Sequence, residues 1–304
     1  MSSSAPIDIE TKLKYLQWQS SYTHTRPYRI AQFGRKRKNN EQKKPHNLVF
    51  QEGDFAETIR DIRGTTAAEE NPSFTLETNG FVYRRYPPPL FTNAKEFGDP
   101  DHIQNIFLPE CEAILRKEIE GVDQVFIFDW KIRKKKSAKE RRKRNPNLLT
   151  FARQVHVDEP GTSMIERIRN HLPEEAQHLL SGRVQMINLW RTINGPVEEQ
   201  PIAVCDGRTV DTSKLVETDM IGGDYTGTLL YPLYEPGNIR QWYYLSRQGV
   251  EDVLLFKSFD SKEGSLKYTP HTSFTLPDTP NDACPRISVE VRALVFTRSM
   301  QSAL

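Results

Sequence analysis

Cysteine is scarce in this chain, with Cys111, Cys205 and Cys284 as the only three in 304 residues. An odd count with no Cys-x-x-Cys pair excludes a disulfide framework and a structural zinc knot, and it suits a reducing compartment. Long apolar runs are also missing, so no membrane span is expected. The opening MSSSAPIDIETK has neither an apolar core nor a cleavage signature, so it does not read as a secretory signal. An excess of charge is lacking too: 42 Lys and Arg stand against 40 Asp and Glu, and a net charge of +2 names no partner. These absences predict a soluble, intracellular, cytoplasmic protein. No internal repeat is visible.

What is present suffices for a sizeable core, with 37% hydrophobic and 10% aromatic residues. A mean hydropathy of −0.65 and 20 prolines indicate long polar connections. Residues 1–45 read as a polar, loosely docked arm, in which Leu13, Leu16 and Trp18 suggest one amphipathic helical turn. Strand signals follow at Asn47–Phe50 and Thr58–Gly64. Phe74–Leu76 and Gly80–Tyr83 read as a strand pair turning at Asn79-Gly80. Asp99-Pro100-Asp101 caps a helix whose apolar residues include Ile103, Phe107, Cys111 and Ile114. Val122–Trp130 is a buried-strand pattern.

From Leu148 the chain becomes mostly strands, interrupted by a helix over Ser163–Leu180 that Pro173 should divide. Strands are expected at Val184–Trp190, Pro201–Cys205, Thr226–Tyr231, Gln241–Ser246, Val253–Phe259 and Ile287–Thr297. Short strands separated by turn signals predict a mainly β fold with flanking helices, a jelly roll of the cupin-like barrel type. The expected organisation is the arm followed by one domain over 46–300, with its core at about 148–298.

The chemistry centres on His156-Val157-Asp158. Residues two apart on a strand share a face, so an imidazole and a carboxylate can address one point. With His271 they would form a two-histidine, one-carboxylate facial triad, which leaves positions open on a non-haem ferrous ion. Arg286 and Ser288, also two apart, could hold the far carboxylate of an organic acid on that metal. A strand histidine beside an acid is an ordinary structural pair, so the weight lies in the order of the four elements. His171 and His178 are competing ligands, Arg292 is a competing anchor on the same face, and Asn188 and Arg191 are candidates for co-substrate or ligand-supporting contacts or for a buried polar pair. Trp242 and Tyr244 read as core. The basic run Lys131–Arg144 lacks interleaved aromatics, so a solvated loop is expected rather than a nucleic-acid site, with docking of an anionic substrate as a further reading.

Several blocks in order resemble the fungal hydroxylase/desaturase family of the aspergillic-acid-cluster oxygenase, the gibberellin desaturase-like proteins and the cephamycin 7-alpha-hydroxylase-related proteins. They include Asp61–Gly64, Thr78–Phe81, Gln154–Asp158, Ile187–Arg191, Pro201–Asp206, Leu254–Ser261, Pro270–Phe274 and Pro285–Phe296, and the resemblance spans about 47–298. It implies a double-stranded β-helix and an Fe(II)/2-oxoglutarate-dependent dioxygenase, an oxidoreductase consuming molecular oxygen. The expected reaction is hydroxylation, desaturation or oxidative cyclisation of a small molecule in secondary-metabolite biosynthesis. By position, His156, Asp158 and His271 become the iron ligands, and Arg286 with Ser288 the 2-oxoglutarate anchor. Thr192, Ile287 and Arg240-Gln241 depart from the family pattern, none at a ligand position. A non-redox cupin-like isomerase, lyase or ligand-binding barrel is the alternative, and a basic nuclear interaction protein a more distant one.

Overall fold

The structure is a computed structural model that describes residues 6–30, 46–64, 74–90, 99–138, 140, 145, 147–222, 225–237 and 239–298. Its first strands are short: β1 (Ile9–Thr11), β2 (Lys14–Leu16), β3 (Tyr28–Ile30), β4 (Phe50–Glu52), β5 (Glu57–Asp61) and β6 (Phe81–Arg85). A helical turn at Pro100–His102 and a π-helical turn at Ile103–Phe107 lead into α1 (Leu108–Glu118). Asp99 caps this stretch, its side chain accepting a 3.1 Å bond from the Asp101 amide. Next come β7 (Val122–Lys134), β8 (Leu148–Leu149), β9 (Val157–Asp158), α2 (Gly161–His171) and α3 (Ala176–Leu180). Pro173 falls between the two helices, where the missing amide and the ring clash end helical pairing. The remaining strands are β10 (Arg183–Thr192), β11 (Ile202–Cys205), β12 (Leu215–Gly222), β13 (Tyr225–Pro232), β14 (Trp242–Tyr244), β15 (Asp252–Asp260), β16 (His271–Ser273) and β17 (Ile287–Thr297).

One wall is a six-stranded sheet in the order β6-β15-β10-β17-β7-β8. The opposite wall is made of a five-stranded sheet, β1-β5-β14-β11-β16, and a four-stranded sheet, β3-β12-β13-β9. A bridge between His156 and His271 joins these two, with reciprocal amide–carbonyl bonds of 3.1 and 2.9 Å. The result is the curled double sheet of a jelly roll.

Side-chain alternation divides the core. On β17, Val289, Val291, Ala293 and Val295 face outward and pack with Ile187 and Leu189 of β10 beneath Phe107, Ile114 and Leu115 of the helical stretch. The intervening Ser288, Glu290 and Arg292 therefore face the barrel interior. On β7 a bulge interrupts the pairing: Arg292 opposes Asp129 while Ala293 opposes Ile127. Phe128 is the extra residue, and it reverses the alternation. Val125 and Ile127 before it, and Trp130 and Ile132 after it, all join the outer core. Asp129, Lys131 and Arg133 are consequently aimed inward.

Several sequence expectations need correction. The described part of the arm is paired, with β1 on β5 and β2 on β4, and Leu13, Tyr15 and Leu16 are buried. No helical turn forms at Leu13–Trp18, because sheet edges capture that backbone. Phe74–Leu76 is not a strand, and β6 instead pairs with β15. Strand β12 was not anticipated. The basic run begins within β7, with Arg133 buried, so its first residues are not a solvated loop; residues 139 and 141–144 lie outside those described. No helix among the described residues is long and apolar enough to cross a membrane.

Candidate metal and co-substrate site

His156 immediately precedes β9, Asp158 ends it, and His271 opens β16. Their ligand atoms lie within 4.8 Å of one another, and all three residues are buried. His156 Nε2 is 3.9 Å from Asp158 Oδ1, and His271 Nε2 is 3.9 Å from Asp158 Oδ2. His156 Nδ1 meets the Gln154 carbonyl at 2.8 Å, and His271 Nδ1 meets that of Thr269 at 3.3 Å. A carbonyl can only accept, so each Nδ1 carries the proton and each Nε2 lone pair points into the site. Burial pulls the His156 pKa down, and burial with the neighbouring His156 ring takes His271 to about 3. Both imidazoles are therefore in the neutral form that a metal requires.

The carboxylate is fixed from two sides. Asn188 donates to Asp158 Oδ2 at 2.7 Å and accepts from Ser258 at 3.1 Å. Arg292 donates to Asp158 Oδ1 at 2.9 Å and to Glu290 at 2.9 Å, and Arg133 meets the other Glu290 oxygen at 3.3 Å. Burial and the Glu290 charge oppose ionisation of Asp158, but the Arg292 guanidinium counters them and the carboxyl pKa stays below the usual value. For Glu290 burial is likewise outweighed, here by Arg133 and Arg292, which keep its carboxyl well below the ordinary range. A row of alternating charge thus runs along the inner wall from Arg133 to Asp158. Neither Glu290 nor Arg133 was anticipated from sequence. Glu290 could have been found, because it lies between Ser288 and Arg292 at even spacing.

Arg286 and Ser288 lie in the same interior. The Arg286 guanidinium is 1% exposed and sits between the rings of Phe151 and Trp190, at 4.2 and 5.4 Å. One Nη donates to the Gln200 carbonyl and, at 3.3 Å, to Ser273 Oγ. Its Nε and other Nη, the hydroxyl of Ser288 and Nε2 of His271 are buried without a hydrogen-bond partner. No carboxylate among the described residues forms an ion pair with Arg286. Unpaired buried polar atoms of this kind are costly to a fold unless a ligand engages them. They match the needs of a keto acid chelating a metal on the triad: a nitrogen ligand, a guanidinium for the distant carboxylate and a hydroxyl beside it.

The other candidates separate. Asn188 supports Asp158, whereas Arg191 is directed elsewhere. Three residues along a strand is an odd offset, so Arg191 shares the outer face of Ile187 and Leu189. There it bonds Glu110 of α1 at 2.7 Å and the carbonyls of Val250 and Pro87. This corrects its assignment to the co-substrate. Arg292, the competing anchor, is already engaged by Asp158 and Glu290. His171 and His178 are exposed on their helices. Trp242 and Tyr244 are core residues.

A cavity of about 970 Å³ opens above the triad, with His156, Asp158 and Arg292 in its wall. A second space of about 10 Å³ lies behind the two histidines, bounded by Trp190, Ser273 and Glu290.

A family model described as "Oxidoreductase/YMDC permease-like domain" matches residues 13–296. The chain is 30% identical over 247 residues to the Fe(II)/2-oxoglutarate-dependent dioxygenase nvfI of Aspergillus novofumigatus, covering 81% of this chain and 86% of that one. It is 30% identical over 268 residues to the hydroxylase/desaturase poxK of Penicillium oxalicum, covering 79% and 78%. To the hydroxylase/desaturase CTB9 of Cercospora beticola it is 29% identical over 262 residues, covering 80% and 78%. Among solved structures, a single-residue variant of the iron and alpha-ketoglutarate-dependent endoperoxidase NvfI superposes with a TM-score of 0.81 at 25% identity, covering 98% of this chain and all of that one. The chain belongs to the family of fungal Fe(II)/2-oxoglutarate-dependent dioxygenases and hydroxylase/desaturases.

Proposed function

We propose that the protein oxidises a small secondary metabolite with iron(II), 2-oxoglutarate and molecular oxygen, through hydroxylation, desaturation or oxidative cyclisation. His156, Asp158 and His271 hold the metal, and Arg286 with Ser288 holds the far carboxylate of 2-oxoglutarate. The observation that carries this reading is the convergence of three ligand atoms within 4.8 Å beside buried polar atoms of Arg286, Ser288 and His271 that have no hydrogen-bond partner. When bound, the metal and keto acid supply an oxidant able to remove hydrogen from an unactivated C–H bond. The chain's own residues orient, shield and position. Asn188 and Arg292 fix the Asp158 carboxylate, the two backbone carbonyls fix the ring tautomers, and the large cavity places the substrate over the open face of the triad. Phe151 covers the Arg286 guanidinium and lines the large cavity, so its ring stands between that cavity and the anchor. Residues 46–300 act as one oxygenase domain carrying the N-terminal strands, and the protein works in the cytoplasm without a nucleic-acid partner.

The test is anaerobic titration of the metal-free protein with ferrous ion and then 2-oxoglutarate, followed by optical absorption. A weak visible charge-transfer band that disappears in His156→Ala is expected. Iron uptake without the band removes Arg286 as anchor, and no iron uptake overturns the oxygenase reading in favour of a bare barrel.

A further inference from the structure

Among the described residues, two other than glycine have a positive φ: Gln200 at 51° and Arg247 at 47°. A residue with a Cβ seldom takes that region. Gln200 is also followed by Pro201, whose ring crowds the residue before it and favours extended backbone there. The backbone at Gln200 is therefore strained on two counts, and such strain persists only where the surroundings hold it. They do so here. The buried Gln200 side chain donates from Nε2 to Thr275 Oγ1 at 2.8 Å, and the Pro201 carbonyl accepts from the Phe274 amide at 3.2 Å. The turn is pinned where β11 meets β16, with Ile202 opposite Ser273.

What the turn delivers is one carbonyl. Gln200 O accepts from one Nη of Arg286 in the barrel interior. The guanidinium carbon lies over the rings of Phe151 and Trp190, which confine it without directional bonds. Direction comes from the bonded Nη, which also meets Ser273 Oγ at 3.3 Å. With that Nη engaged, the edge formed by Nε and the other Nη is left without a partner. Two parallel donors on one guanidinium edge are the fork that takes a carboxylate through paired bonds.

Building on the oxygenase reading, we propose that Gln200 is a positioning residue for the co-substrate. Its left-handed backbone aims a carbonyl at Arg286 and so turns the Nε–Nη edge toward the far carboxylate of 2-oxoglutarate. A strained turn that touches neither metal nor keto acid thereby sets the preference for a keto acid with two carboxylates over one with a single carboxylate.

The experiment is calorimetric titration of the Mn(II)-loaded full chain with 2-oxoglutarate and with 2-oxobutyrate, which offers the same chelate but no far carboxylate. The wild type should prefer 2-oxoglutarate. Gln200→Val puts a β-branched side chain where positive φ is most costly. It should weaken 2-oxoglutarate about tenfold and leave 2-oxobutyrate and Mn(II) binding unchanged. Tenfold is the low end for a bond to a charged group, because Ser273 still meets the same Nη. Gln200→Gly takes positive φ freely and should keep the wild-type preference despite losing the Thr275 bond. Should the valine variant fail to fold, Gln200→Ala, with a Cβ but no such bond, should show a smaller loss of the same kind. An undiminished preference in the folded valine or alanine variant overturns the proposal, since the turn would then serve the fold alone. A loss in the glycine variant as large as that in the others does the same, because the side chain and not the backbone would be responsible. Equal affinity of the wild type for the two keto acids would instead sink the anchor assigned to Arg286, and this proposal with it.

Discussion

Replacing Asn188 by leucine tests how far the metal depends on a residue that does not touch it. Leucine nearly preserves the volume at a fully buried position but removes the 2.7 Å bond to Asp158 Oδ2 and the acceptor for Ser258. A hydrogen bond to a buried charge contributes about 1.5–3 kcal/mol, and loss of a partner behind a metal ligand weakens metal binding by roughly 10–100-fold. Arg292 still holds Oδ1 at 2.9 Å, so the carboxylate keeps one restraint. The expected loss therefore lies at the lower end, about tenfold, or ~1.4 kcal/mol. Mn(II) titration of the metal-free protein, read by electron paramagnetic resonance, gives the affinity without turnover. Ser258→Ala, which only loosens the Asn188 amide, should show a smaller loss in the same direction. An Asn188→Leu protein that binds Mn(II) within about twofold of wild type, at unchanged melting temperature, would refute the argument.

Arg286→Gln should retain Mn(II) affinity but raise the KM for 2-oxoglutarate by at least about tenfold, as removal of a charged anchor demands; equal loss of metal and co-substrate binding would contradict the division of roles. Arg191→Met should leave that KM unchanged while lowering stability by about 3 kcal/mol, because Glu110 loses a partly buried partner; steady-state kinetics with denaturant melts separates the two. Burial holds His156 and His271 below the free histidine pKa, so as pH falls below about 6.5 the unfolded chain gains protons that the fold refuses. Stability of the metal-free protein should then drop by up to ~1.4 kcal/mol per pH unit for each histidine. The carboxylates Asp158 and Glu290, with lowered pKa values, add to this in the same direction only at lower pH. Denaturant melts between about pH 7 and pH 5 should show the slope, and His271→Gln should remove part of it.

The sequence made the triad legible because its signal is local. Period two puts His156 and Asp158 on one face whatever the surrounding topology, and Arg286 and Ser288 obey the same rule. The split helix at Pro173 and the Asp99 cap were readable for equally short-range reasons. Arg191 parts from Asn188 because strand parity sends the two to opposite faces. The N-terminal arm departs from expectation because Leu13, Leu16 and Trp18 fit a helical turn as well as a strand, and only the edges of distant strands decide between them. Phe128 was opaque in a deeper way. Nothing in VDQVFIFDW marks which residue is the extra one, since its place is set by β17 across the ladder. The destination of the basic side chains could not be seen until that pairing was known.

The pairing of His156 with His271 has a mechanical consequence. Each donates its amide to the other's carbonyl, at the seam where two sheets become one wall. An ion shared by their imidazoles would act as a rivet through that seam. Metal at about a hundred times its Kd would add ~2.7 kcal/mol to the folded state, and the His156 and His271 amides should be where hydrogen exchange slows most. Chelation would unfasten the barrel at the line that carries the chemistry, so wall closure and readiness to react would be lost together.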